Sequence, residues 1–470
     1  MTPPDPFGDH VAKAPATAGH LFRHAALQRT IIVGQRPDSM ATATKKLGIL
    51  VGGGPAPGIN SVISAATIRA NLDGVAVIGI EEGFKWLMQG DISHARDLTI
   101  EQVSRIHFRG GSTLGTARDN PTHDRKLLES TVTSLLRLNV DKLVTIGGDD
   151  TAYSAMKVEE TAAGRIHVVH VPKTIDNDLD LPLGIPTFGY QTARDVGVEI
   201  VRNLMVDAKT TSRWYFVISM GRKAGHLALG IGKAAGATLT IVGEEFAEAL
   251  IRLSHVVDIL VGAIVKRLAY GRTDGVAVIA EGLLERFEQR DLEALESVER
   301  DAHGHIRLAE IDFGDILKRE VQTRLKGFGI RVTIADKEIG YELRCADPIP
   351  FDMEYTRDLG FCAAQFMLDG GNAAMVSIQE GHFVPLYFKE IIDPETGRTR
   401  VRMVDVASEY YSIARRYMLR LNQTDFEDPH ELAKFAAVCG IPLDEFRGQF
   451  AYLLEKDLLY RPAERRAKAG

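Results

Sequence analysis

Cysteine is scarce in this chain: there are three in 470 residues, Cys345, Cys362 and Cys439, at spacings that match no metal-ligand pattern. So sparse and odd a count argues against a disulfide framework and fits a reducing compartment. Long apolar runs are missing too. A membrane-spanning helix takes roughly 18 consecutive apolar residues. The longest candidate here, residues 259–265, is closed off by Asp258 before it and by Lys266 and Arg267 after it. Nor is positive charge in excess. Against 56 Lys and Arg stand 63 Asp and Glu, a net charge of −7, where a nucleic-acid binder would show a basic stripe. The first residues carry neither the charged start nor the apolar centre of a secretory leader. The expected location is therefore cytoplasmic, with no membrane and no nucleic acid among the partners.

What is present reads as ordinary globular protein, 45% hydrophobic and 25% charged. The length suggests two or three domains at roughly 100–200 residues each. The first 45 residues stand apart, mixing Pro3, Pro4, Pro6 and Pro15 with Gly, Ala and scattered His. Met40 opens a stretch that reads like a protein start, so residues 1–39 are expected to be a disordered extension or the product of an upstream start site. From Leu47 onward, short apolar runs at 47–51, 75–80, 142–146, 167–171, 214–219 and 276–280 alternate with helical patterns. That alternation indicates parallel α/β layers. Beyond about residue 283 the pattern turns helical: 313–325, then 406–422 and 429–454. No internal repeat interrupts it.

The polar residues fall just after the strands. The first strand leads into Gly52-Gly53-Gly54-Pro55-Ala56-Pro57-Gly58, and the third into Gly147-Gly148-Asp149-Asp150-Thr151. Later strands lead into Pro172-Lys173-Thr174-Ile175-Asp176-Asn177-Asp178, into Met220-Gly221-Arg222-Lys223 and into Glu281-Gly282. Open α/β sheets bind ligands beyond the carboxyl ends of their strands, and five strands here deliver glycines, carboxylates or cations to that edge.

The first glycine loop suits an anion at a helix N-terminus, or is a plain strand-to-helix turn. It lacks both the Gly-Lys-Ser/Thr and the dinucleotide spacing. Of the adjacent carboxylates, Asp149 suits magnesium, which takes one or two carboxylates plus substrate phosphates; helix capping by Asp150 or Thr151 is the other reading. In extended backbone Thr174, Asp176 and Asp178 share one face, fit to bind an alcohol and remove its proton; the alternative is an Asx-rich turn. Arg105, Arg109 and Arg118 bracket the glycine loop at 110–115, as arginines do for anionic oxygens or as surface residues. Arg213 ends a helix expected from Thr192. His107, His226 and His305 read as structural or surface residues, and Trp86 and Trp214 as core.

Together these blocks resemble the 6-phosphofructokinase family. The matching segments are 53–60, 147–151, 172–178, 220–225, Glu281-Gly282 and 341–344, in the family's order over about two-thirds of the chain. The resemblance implies an α/β fold of two Rossmann-like three-layer domains with mainly parallel sheets, the active site in the cleft between them, and a helical C-terminus. Residues 46–187 with about 343–400 would bind the phosphoryl donor and magnesium; 188–342 with about 401–470 would bind the sugar phosphate. Asp176 would be the base for the 1-hydroxyl of fructose 6-phosphate, with Thr174, Ile175 and Asp178 lining the acceptor. Asp149 would hold Mg2+, and Gly54 and Arg118 would contact the donor. Met220, Gly221, Arg222, Glu281, Tyr341 and Arg344 would hold the sugar, Arg222 and Arg344 at its 6-phosphate. Arg213 would reach a neighbouring subunit's site, which implies a homodimer or homotetramer with shared sites.

Two positions bear on the donor. Where ATP-using relatives carry a glycine, this chain has Asp150, which resembles the pyrophosphate-dependent branch. Two like charges ~4 Å apart at an effective dielectric of ~20 repel by about 4 kcal/mol, roughly a thousandfold in binding. Lys173 would stabilise the departing phosphate. Departures remain: Tyr341 stands where short bacterial members have histidine. Ala335 stands at a second cross-subunit arginine, for which Arg331 or Lys337 are both candidates. The stretch 283–311 is longer than in the short enzymes. The rival readings are an ATP-dependent enzyme, a pyrophosphate enzyme preferring sedoheptulose 7-phosphate, and a silent regulatory subunit.

Overall fold

A computed structural model describes residues 45–182, 184–293, 311–391 and 400–456. The proposed N-terminal extension and most of the 283–311 insertion lie outside the described residues. Twelve strands occur among those described. They are β1 (Lys46–Val51), β2 (Ala76–Ile80), β3 (Ala95–Leu98), β4 (Val140–Gly147), β5 (His167–Thr174) and β6 (Phe188–Gly189), then β7 (Trp214–Ser219), β8 (Leu239–Ile241), β9 (Gly275–Ala280), β10 (Ile334–Ile339), β11 (Ala374–Gln379) and β12 (His382–Tyr387).

The strands form two sheets. The first runs β12-β11-β5-β4-β1-β2-β3 with the short β6 on β5; the second runs β10-β7-β9-β8. All pairings are parallel except β2 with β3 and β11 with β12. The six strands expected from the sequence are all present. They were legible because both faces are covered: β1, β7 and β9 are buried almost throughout, which writes them as unbroken apolar runs. Register then decides where the turns fall. Gly147 on β4 pairs with Pro172 on β5. On the second sheet Ser219 pairs with both Ile339 and Ala280, so three strands end level.

Three strands lie beyond residue 283, where only helices were expected. Two of them, β10 and β12, are edge strands. An edge has one free side and tolerates polar residues, and Asp336-Lys337-Glu338 in β10 mask the apolar alternation. The C-terminal helices are also shorter than expected. The stretch 406–422 contains only the helix Glu409–Tyr417. The stretch 429–454 breaks into Pro429–Cys439, Leu443–Phe450 and a short Tyr452–Lys456 helix, because Gly440 adopts φ +63° and Pro442 follows it.

Packing joins distant segments. The helix Pro350–Leu368 returns to the first sheet and lies against the helix Ile59–Leu72. A Cβ on Gly360 would meet the Val62 carbonyl oxygen at 2.5 Å, so only glycine permits that approach. The buried Asp352 carboxylate accepts from the Gly189 and Thr192 amides at 2.9 and 2.7 Å and from the Thr192 hydroxyl at 2.6 Å. It thereby ties this helix to the N-terminus of the helix Tyr190–Thr211. The apolar stretch 259–265 belongs to the helix Leu253–Ala269, buried under Phe435, Phe446 and Phe450 of the C-terminal helices. No helix among the described residues is long and apolar enough to cross a membrane.

Candidate active site

The two glycine turns of the first sheet share one side chain. A Cβ on Gly52 would lie 2.4 Å from the Thr151 hydroxyl oxygen, and one on Gly147 would lie 2.3 Å from its Cβ. Thr151 therefore packs between the turns and caps nothing. The N-cap of the helix Asp149–Ala162 is Gly148, with no side-chain cap, so the capping reading of Asp150 or Thr151 does not hold. Asp149 and Asp150 occupy the first turn instead, where the positive end of the helix favours carboxylates.

In the first loop, Gly53 has φ +79°, and its amide donates to the Ala117 carbonyl at 2.8 Å. That contact sets the exposed Arg118, the next residue, at the rim of the loop. Arg105 and Arg109 are exposed as well. The Lys173 ammonium donates to the Gly54 carbonyl at 2.5 Å, and a Cβ on Gly54 would come within 3.1 Å of the Arg344 guanidinium. The Asn60 side chain donates to the carbonyls of Arg109 and Gly110, each at 3.1 Å, and accepts from Thr113, which fixes the arginine-bracketed loop.

β5 runs through Thr174, so Pro172, Lys173 and Thr174 are strand and not loop. The extended backbone expected to align Thr174, Asp176 and Asp178 ends there. The chain bends, and Asn177 enters the left-handed region at φ +57°, a conformation asparagine tolerates better than most residues. The Asx-rich turn is thus the correct backbone description, and the turn itself gathers the three side chains. The Thr174 hydroxyl accepts from the Asp176 amide at 3.0 Å.

Charge at this turn is concentrated and buried. Burial raises the Asp176 carboxyl well above the usual carboxylate range, and Asp178 adds to this while Arg222 and Lys173 oppose it. One Asp176 oxygen has no hydrogen-bond partner among the described residues. Asp178 is raised by burial and by Asp149. Burial pushes the Lys173 ammonium down to about 8; Asp176 and Asp178 oppose that shift, and Arg222 and Arg344 favour it.

The second sheet supplies the facing wall. Arg222 follows β7 with φ +47°. A Cβ on Gly282 would strike the Arg222 carbonyl oxygen at 2.1 Å, so that glycine lets the two turns touch. The Gly221 amide donates to Glu281 at 3.3 Å. Met220 packs on Gly340, and Arg344 lies over the Tyr341 ring, 4.6 Å from its centroid. The sheets meet where the Arg222 guanidinium donates to Asp149 at 3.0 Å and stands 4.0 Å from Asp150. Ile175 is buried in the core beneath.

Arg213 is not brought to this site. The helix ends at Thr211, and Arg213 lies two residues beyond it. It precedes β7, whose far end carries Met220. At about 3.3 Å per residue, roughly 23 Å of strand separates the two. Of the candidates for a second cross-subunit cation, Lys337 pairs with Glu342 at 3.4 Å and Arg331 is exposed.

The sequence reading passed over His170, which underlies the Gly147 turn. Its Nε2–H donates to the Gly147 carbonyl at 3.0 Å, and its Nδ1 accepts from the Thr145 hydroxyl at 2.8 Å. Burial drives its pKa down to about 3, so the ring stays neutral. A polar residue inside an otherwise apolar run was the only signal.

Residues 46–367 match the family model described as Phosphofructokinase, and the chain belongs to that family. It is 54% identical over 416 residues to a Thermotoga maritima protein named "Pyrophosphate--fructose 6-phosphate 1-phosphotransferase", covering 87% of this chain and 99% of that protein. A Naegleria fowleri protein of the same name is 51% identical over 418 residues, covering 87% and 96%. The fold is also like the crystal structure of a pyrophosphate-dependent phosphofructokinase from Nitrosospira multiformis, with a TM-score of 0.61 at 17% identity over 80% of this chain and 91% of that one.

Proposed function

We propose that this chain transfers a phosphoryl group reversibly from pyrophosphate to the 1-hydroxyl of fructose 6-phosphate, giving fructose 1,6-bisphosphate and phosphate. The observation that carries the reading is the buried Asp176 carboxylate, with one oxygen free of partners among the described residues, in the field of Lys173 and Arg222 at the meeting of the two sheets. The names borne by the relatives from Thermotoga maritima and Naegleria fowleri support the same donor and acceptor.

Phosphoryl transfer asks the protein mainly for positioning and charge stabilisation. Asp176 takes the proton of the sugar hydroxyl; a base with a raised pKa is suited to work near neutrality. Thr174 orients the Asp176 amide, and Asp178 shares the turn. Lys173, held on the Gly54 carbonyl, stands beside the donor loop and stabilises the departing phosphate, with Arg118 at the loop rim. On the sugar side act Met220, Gly221, Arg222, Glu281, Tyr341 and Arg344. Arg344 touches both the donor loop and Tyr341, so it spans the two halves of the reaction.

The residues present fit a divalent cation. No cluster of three or more metal-ligating side chains occurs among the described residues, as expected for magnesium that takes most of its ligands from phosphates and water. Asp178 is raised first by burial and then by the neighbouring Asp149, so a cation beside Asp149 would relieve part of that repulsion. Asp149 would hold the ion, which would offset charge on the transferring phosphoryl group.

By this reading the first sheet serves the donor and the second the sugar. Arg213, remote from its own site, serves that of a second subunit in a homodimer or homotetramer, and the enzyme works in the cytoplasm. The test is fructose 1,6-bisphosphate formation by purified protein with magnesium, pyrophosphate and ATP compared side by side. Product with pyrophosphate alone is expected. Product with ATP alone overturns the donor assignment, and product with neither overturns the acceptor.

A further inference from the structure

The turn that carries Asp176 and Asp178 does not hold itself alone. Residue Asn177 sits in the left-handed region, and its side-chain oxygen accepts from the Thr187 amide at 3.0 Å; the Thr187 hydroxyl donates to the Thr174 carbonyl at 2.7 Å, and the Asp176 amide to the Thr174 hydroxyl. Further scaffolding comes from residues 401–404, more than 220 positions away. Val401 forms an antiparallel bridge with Leu179, and the Arg402 amide donates to the Asp178 carbonyl at 2.8 Å. The Arg402 guanidinium then spreads over the turn. Its Nε donates to the Asn177 carbonyl at 3.1 Å and one terminal nitrogen to the Ile185 carbonyl at 2.8 Å. The other terminal nitrogen donates to the Asn177 side-chain oxygen.

The same strap is fastened to the second sheet's side of the site. The His226 ring donates through Nε2 to the Arg402 carbonyl at 3.1 Å. Glu244 accepts at one oxygen from both the Gly225 amide at 2.8 Å and the Val404 amide at 3.0 Å. Gly225 and His226 lie three and four residues after Arg222, so one short segment grips the base-bearing turn with one set of bonds and the Arg222 turn with another.

We propose that Arg402 is a positioning residue: its guanidinium locks the Asn177 turn and so sets the direction of the Asp176 and Asp178 carboxylates relative to the Arg222 wall. A planar fork with fixed donors suits three acceptors at set angles; an ammonium does not. The inference rests on the assignment of Asp176 as base, and it concerns orientation, not contact with substrate. Misplacing a reacting group by about 1 Å costs roughly a hundredfold in rate.

The test uses the full chain with Arg402→Ala and Arg402→Lys. Arg402→Ala keeps the main-chain bonds to Asp178 and His226 and removes the fork. The expected result is a kcat lowered about a hundredfold with both KM values moved less than about threefold, partial recovery on adding ethylguanidinium, and a smaller defect in Arg402→Lys. Amide hydrogen exchange supplies a readout independent of turnover: the amides of residues 174–180 and of Thr187 should exchange faster in both variants, and the remainder of the first sheet should not. Should Arg402→Ala fail to fold, Arg402→Lys, which keeps charge and stem, decides. Unchanged exchange at the turn, kcat within about twofold of the unaltered protein, or KM values that rise with kcat intact would each overturn the proposal. If the unaltered protein makes no fructose 1,6-bisphosphate from pyrophosphate, the functional reading fails by itself, and the exchange pattern still decides whether Arg402 holds the turn.

Discussion

At the turn after β5 the site residues are sunk: Lys173, Asp176 and Asp178 are 5, 8 and 7% exposed. On the second sheet they stand out, as Asp150 and Arg118 do on the first. The Arg222 side chain is half exposed, and Tyr341 is 69% exposed on a four-residue helix. The contrast follows from what each half must do. A base needs its pKa raised and its direction fixed, and burial supplies both. A wall that admits a sugar phosphate needs reach, which long side chains on exposed turns supply. Electrostatic effects should accordingly be large at the buried turn after β5 and muted by solvent at the exposed residues of either sheet.

The largest expected effect is at the buried base. Asp176→Ser should lower kcat by about 10²–10⁴, the usual range for losing a general base, with sugar-phosphate affinity largely kept. Initial-rate kinetics at saturating pyrophosphate would show it, and retained turnover would remove Asp176 from that role. The pH profile sharpens the point. Because the Asp176 carboxyl is raised, its basic form appears only above that raised value, so kcat should begin to fall on acidification well above the range of an ordinary carboxylate. Lys173, lowered to about 8, should lose its charge above that pH and give a basic limb. Lys173→Met should abolish the basic limb and leave the acidic one.

Next comes packing beneath the donor loops. Gly52→Ala would drive its Cβ into the Thr151 hydroxyl at 2.4 Å, and overpacking of this kind costs about 1–3 kcal/mol. Chemical denaturation should register that loss. The companion change Thr151→Ala, which removes the clashing atoms, should recover most of it. No recovery would mean that Gly52 is required for its backbone and not for the space.

These contrasts explain how much of the molecule could be read from its residues. Six strands covered by their neighbours announced themselves, and so did the turns that follow them; β11 did not. At the edges, β10 carries the charged residues that erase the pattern, and β12 is interrupted by Pro385. Thr174, Asp176 and Asp178 were picked out as a group, but for the wrong backbone. The left-handed Asn177 is held by Arg402 and Thr187, and long-range partners leave no local spacing to detect. Arg402 was invisible for the same reason, and His170 left only a polar residue inside an apolar run as its mark.

Donor choice turns on a residue on the first sheet's side that is exposed, unlike the β5 turn. The sequence-based figure of about 4 kcal/mol for Asp150 took the dielectric of ~20 typical of a pair near the protein surface. The structure puts its side chain at 70% exposure and within 4.0 Å of Arg222. Near water's dielectric the same repulsion at ~4 Å is about 1 kcal/mol. Asp150→Gly should therefore improve ATP use by roughly tenfold or less through charge alone. A gain near a thousandfold would show that the space freed for a nucleotide phosphate, not the charge, governs the donor. Measured kcat/KM for ATP in this variant separates the two.

The smallest effect is expected at Tyr341, which is 69% exposed. Its ring lies 4.6 Å from the Arg344 guanidinium, and an exposed cation–π contact is worth about 0.5–1 kcal/mol. Tyr341→Ala should raise KM for the sugar phosphate about two- to fivefold with kcat unchanged, because only the resting direction of Arg344 is loosened. Tyr341→Phe keeps the ring face and should behave as the unaltered protein. If the phenylalanine variant is as impaired as the alanine one, the hydroxyl and not the ring is what matters. Tyr341 would then bind the sugar phosphate directly, and the second sheet would hold a more exacting contact than its exposure suggests.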